Sequence, residues 1–79
     1  MTLKKEVVQI EVSKAQWESE QLLIQDNIEK QLRQHCLNQG LDIYTLDHKR
    51  TPSFILTEEG VMVETIVAVC VALTYPKSR

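Results

Sequence analysis

The side chains in this sequence that could ligate a metal or act as nucleophile and base are His35, Cys36, His48 and Cys70. A zinc site needs such groups at short repeated spacings, so that a turn or one helix face can aim several at one ion. The chain has no Cys-x-x-Cys and no His-x-x-x-His. His35 and Cys36 are neighbours in a helical stretch and point about 100° apart, so they cannot face each other as base and nucleophile. Cys70 lies within an apolar run, where a thiol behaves as a small hydrophobic side chain.

Paired carboxylates occur as Glu18 with Glu20 and as Glu58-Glu59. The first pair falls where a helix begins and offsets its dipole, and the second falls in a turn. Neither spacing demands acid–base chemistry. Glycine occurs only at 40 and 60, so no glycine-rich phosphate loop or dinucleotide fingerprint exists. The sequence therefore assigns no catalytic, cofactor-binding or metal residue, and it indicates no enzymatic activity.

One basic cluster is present, His48-Lys49-Arg50, followed by Thr51 and Ser53. Read as part of a polar loop over 47–52, it could touch phosphates. The chain as a whole carries nine Lys and Arg against eleven Asp and Glu, a net charge of −2. With no aromatics interleaved among the basic residues, a nucleic-acid-associated role is an alternative and not the leading reading.

These residues must be positioned by a small framework. Seventy-nine residues make one domain, with a core that supplies only about 3–5 kcal/mol unless something reinforces it. Residues 5–12 alternate in type, with Val8, Ile10 and Val12 on one face and Val7, Gln9 and Glu11 on the other, the period of a half-buried strand. Ser13 then offers an N-cap, and Gln16 completes a Ser-x-x-Gln capping box. Val12 and Trp17 are spaced for a hydrophobic staple across it. Residues 14–38 contain no Gly or Pro, and Trp17, Ile24, Ile28, Leu32 and Cys36 form one stripe at helical spacing. Asp26–Lys30 and Glu29–Arg33 are i,i+4 pairs in the favourable direction. Gly40 supplies the stop. Leu22, Leu23 and Leu37 fall off the stripe.

After the helix, 41–46 and 54–57 read as short strands separated by the 47–52 loop, and Glu58-Glu59-Gly60 as a tight turn. Residues 61–75, VMVETIVAVCVALTY, read as one long strand because their β-branched content opposes a helix. The predicted architecture is α+β: one long amphipathic helix on an antiparallel sheet of three to four strands, in the order β-α-β-β-β.

That final strand is apolar on both sides. Ala68, Cys70 and Ala72 make one face small enough for a closely crossing helix. Val67, Val69, Val71 and Leu73 make the other face large and oily, whereas a sheet with one helix on one side should turn a polar face to water. A bulge, or a barrel-like sheet burying this face against its own strands, would hide it within one copy. The leading expectation is instead that a second copy covers it, because fully covering each of these residues is worth about 1.5–3 kcal/mol.

The sequence thus predicts a small homodimeric interaction or regulatory protein, with Val67, Val69, Val71 and Leu73 at the interface. The helix flank Leu22, Leu23 and Leu37, and the loop His48, Lys49 and Arg50, are available to a protein partner. A ligand binder or enzyme with its site between subunits is a further alternative. No secretory leader and no membrane segment are expected: Glu6, Gln9 and Glu11 interrupt the N-terminal stretch, and the longest apolar run, 66–73, is too short to span a bilayer. Two buried free thiols and a cytoplasmic location complete the expectation.

Overall fold

The computed structural model describes residues 2–77. Strand β1 (Lys4–Ser13) leads directly into helix α1 (Lys14–Asn38), which is followed by two long strands, β2 (Leu41–Leu56) and β3 (Met62–Pro76). The three strands form one antiparallel sheet in the order β1-β3-β2, with the helix lying on one face. The most apolar strand is thus the central one, flanked on both sides. This is the predicted α+β class with three strands.

The helix follows its sequence signals closely. Ser13 Oγ accepts the Gln16 backbone N–H at 3.1 Å, satisfying one of the donors a helix start leaves open. The other half of the capping box does not form, because the Gln16 side chain turns up the helix and donates to Glu20 Oε2 at 3.4 Å. Val12 and Trp17 are both buried around the cap. At the far end Gly40 takes φ 69° and its N–H donates to the Leu37 carbonyl at 3.2 Å, closing the helix as a left-handed glycine does. Both expected i,i+4 ion pairs form at 3.0 Å. Glu20 departs from helical geometry (φ −129°, ψ 25°), which kinks the helix within its second turn.

The core is the predicted stripe laid on the predicted small-residue face. Trp17, Ile24, Ile28, Leu32 and Cys36 pack against Ala68, Cys70 and Ala72, with Val8, Leu41, Ile43, Leu46 and Ile66 around the edge. Small side chains on the central strand let the helix backbone approach closely, and the larger residues of the flanking strands fill the sides. Both cysteines are buried and free.

Two expectations for residues 41–57 are corrected. The strands 41–46 and 54–57 are one continuous strand, and the loop between them, including His48, Lys49 and Arg50, is strand as well. Residues 47–52 lack apolar alternation, which is why they read as a loop. They are held instead by continuous pairing with β3, from Asp47 opposite Val71 to Pro52 opposite Ile66. Pro52 is tolerated because β2 is an edge strand, where a missing N–H need not break a ladder. The one irregularity is a bulge between Ile43 and Thr45 that leaves Tyr44 outside the register. The fourth strand of the predicted order is absent among the described residues.

The turn between β2 and β3 is the predicted one. Gly60 sits at φ 79°, its N–H donates to the Thr57 carbonyl at 2.9 Å, and Thr57 N–H donates to Val61 O at 2.9 Å, the pattern of a turn closed by a glycine bulge. Pairing of β1 with β3 ends at Ser13 opposite Thr65, so the hairpin from 54 to 64 runs on past the sheet as a two-stranded arm. The described residues measure 54 × 21 × 17 Å overall.

Candidate interaction surfaces

The side of the sheet away from the helix is the most unusual surface. Residues directly opposite in an antiparallel pair point to the same side, so the register defines it row by row. Leu73 is flanked by Lys5 and Thr45, Val71 by Val7 and Asp47, Val69 by Gln9 and Lys49, and Val67 by Glu11 and Thr51. An apolar ridge therefore runs down the middle between two largely polar rows. Val67, Val69, Val71 and Leu73 are half-buried, sheltered only by those neighbouring side chains. No described segment lies across them. At the end of the ridge Thr65 is 3 % exposed because its hydroxyl donates to Glu11 Oε2, which leans over it.

The other predicted interface residues fall elsewhere. Leu22 and Leu23 are exposed on the helix, on the opposite side of the sheet from the ridge, and so is Leu37. Fourteen to fifteen residues of helix, about 21 Å, separate Leu37 from the other two. These seven residues cannot form one contiguous patch.

The basic cluster is likewise divided. Successive strand residues face opposite ways, so Lys49 joins the ridge face while His48 and Arg50 face the helix side. His48 is drawn into structure: its Nε2 donates to Glu29 Oε1 at 2.9 Å. Arg33 Nε donates to the other oxygen of Glu29 at 3.0 Å. These two hydrogen bonds, His48 first, hold the Glu29 carboxyl below its ordinary range. On the far side of the helix His35 Nε2 lies 3.3 Å from Glu6 Oε2, and Lys4 Nζ lies 3.3 Å from Glu6 Oε1. Each histidine of the chain thus joins the helix to a different edge strand through a carboxylate.

The geometry does not set Cys70 and His48 up as nucleophile and base. Cys70 stands opposite His48 in the register, but the thiol is completely buried and His48 Nδ1, also buried, has no hydrogen-bond partner among the described residues. Burial pushes both thiols up from their ordinary values, away from the thiolate a nucleophile needs. Among the described residues no group of three or more His, Cys, Asp and Glu could hold a metal ion. One hollow of about 460 Å³, open to solvent, lies at the helix C-terminus, where Arg33, Asp42 and Lys77 stand around Leu37, Leu41 and Tyr75.

A surface that sequence reasoning missed is the hairpin arm. Phe54, Ile55, Leu56, Val61 and Met62 are all exposed there. Their apolar character was visible, but their exposure depends on β1 stopping at Ser13 and leaving the arm without a third strand.

No described helix is long and apolar enough to cross a membrane. Comparison with protein-family models, with curated proteins and with solved structures finds no match for the chain.

Proposed function

We propose that this protein is a non-enzymatic interaction module that works as a homodimer, two copies closing their sheets face to face and turning both helices outward. The observation that carries this reading is the ridge of Val67, Val69, Val71 and Leu73, which runs through the centre of a sheet face with nothing described over it. The residues are already half-buried, so covering each one gains about 1 kcal/mol, several kcal/mol per copy. That is comparable with the whole stability of a domain this size.

Size supports the same reading. Ten residues of three paired strands span about 33 Å by about 14 Å. Closing two such faces buries on the order of 1,000 Å² in total, the lower bound for a specific interface. In such a dimer the exposed Leu22, Leu23 and Leu37 remain outside, available to a protein partner. A phosphate-binding role for His48, Lys49 and Arg50 has little support once they are divided between two sheet faces.

Light scattering across concentration tests the reading directly. The expected mass at high micromolar concentration is twice that of one chain, and a strict monomer there would refute the proposal. Val69→Glu should dissociate the dimer, and the nearly isosteric Val69→Thr, which keeps a strand-compatible side chain, should weaken it while the circular dichroism of the fold persists.

A further inference from the structure

We infer that the second copy seats antiparallel on the ridge face, related by a twofold axis that crosses the strands at the level of Cys70. This rests on the homodimer reading above and adds what that reading leaves open, the orientation and the residues that fix it.

Charges on the ridge face are placed symmetrically. On the ridge face Lys5 stands at the level of Leu73 and Glu11 at the level of Val67. Asp47 stands at the level of Val71 and Lys49 at the level of Val69. Each pair of opposite charges is equidistant from the level of residue 70. A twofold axis lying between the sheets and perpendicular to the strands at that level carries β1 over β1 and β2 over β2, running in opposite directions. Lys5 then faces Glu11 of the second copy, Asp47 faces Lys49, and the reciprocal contacts follow by symmetry. The same operation sets Val67 against Leu73 and Val69 against Val71, so the ridge meets itself along its length. Among the described residues Lys5, Asp47 and Lys49 have no ion-pair partner within the chain.

Two alternative contacts between copies are less well matched. The outer edge of β2 carries Pro52 and the bulge at Tyr44, both of which discourage edge-to-edge pairing. A twofold axis parallel to the strands would place β1 over β2. Lys5 would then lie opposite Thr45 and Glu11 opposite Thr51, with Asp47 and Lys49 reached only diagonally.

A charge-swap cycle separates these arrangements. Lys5→Glu and Glu11→Lys each place like charges together at two symmetry-related points, so each is expected to weaken dimerisation about tenfold at low salt. The double variant K5E/E11K restores attraction at both points and should return the dissociation constant to within about threefold of the original. Lys5 and Glu11 lie about 20 Å apart along β1, so the rescue cannot arise within one chain. Glu11 also accepts from Thr65, and the same cycle on Asp47 and Lys49 avoids that contact. Those two stand only about 7 Å apart on β2, so the cycle is read as the dissociation constant, which a contact present in both monomer and dimer does not move.

Rescue by both double variants supports the antiparallel seating. Double variants weaker than either single variant would overturn it in favour of the axis parallel to the strands, where the swapped charges oppose Asp47 and Lys49. Charge variants without effect on a dimer that Val69→Glu still dissociates would overturn the seating and leave the homodimer reading standing. A wild-type monomer would remove both.

Discussion

His48 on β2 and Glu29 on α1 meet through a hydrogen bond of 2.9 Å between Nε2 and Oε1, fastening the helix to one edge strand. Glu6 and His35 meet at 3.3 Å on the other side, with the carboxylate now on the strand and the imidazole on the helix. Between these two clamps lies the hydrophobic seam of Ile28, Leu32 and Cys36 on Cys70 and Ala72. The polar pairs fix where the helix sits across the sheet, while the apolar seam supplies most of the adhesion.

The first clamp predicts an acid limb to the stability. Glu29 has a folded-state pKa below its ordinary value of 4.5. A carboxyl depressed by folding contributes stability that is present above the unfolded pKa and lost as pH falls through the folded one. Glu29→Gln should therefore lower stability by about 1 kcal/mol at pH 7, and the gap from wild type should close progressively below pH 4.5. Thermal melts of both proteins between pH 7 and pH 3 measure it. A gap of constant size down to pH 3 would show that the carboxylate is not the source.

Packing beneath the helix should be intolerant in both directions. Leu32, with no exposed surface, should cost about 2–5 kcal/mol when replaced by alanine. Ala72, equally buried, meets the helix where there is no room for a larger group, and Ala72→Leu should cost about 1–3 kcal/mol. Leu22, 80 % exposed, should change by less than about 0.5 kcal/mol on truncation. Urea denaturation of the three variants would rank them, and an indifferent Ala72→Leu would contradict the close helix–sheet approach.

The two thiols should be silent in the native protein. Both are buried and burial pushes both up, so neither the access nor the thiolate that a disulfide reagent needs is available. Mixing with an aromatic disulfide reagent should give two equivalents of released thiolate in denaturant, and in buffer a release limited by the rate of opening. Rapid release from either cysteine in buffer would show that the helix seam is loose.

Much of this framework was written locally. Ser13, Gly40 and the spacing from Trp17 to Cys36 specify the helix, its ends and its buried side, because a helix is a short-range structure whose signals repeat every few residues. The two faces of β3 were likewise legible, since alternation alone sorts Ala68, Cys70 and Ala72 from Val67, Val69 and Val71.

What lay outside local reach was everything that depends on a distant partner. Residues 47–52 become strand only because β3 offers them a continuous ladder, and a run of Asp, His, Lys, Arg, Thr and Pro carries no such signal on its own. The pairing of His48 with Glu29 arises from helix and strand crossing at one level, across nineteen residues of chain. The symmetry of Lys5 and Glu11, and of Asp47 and Lys49, about the level of Cys70 exists only once both edge strands are in register with the central one. Hydrophobic pattern decides which side of each element is buried, but only long-range pairing decides which residues of different elements stand at the same height.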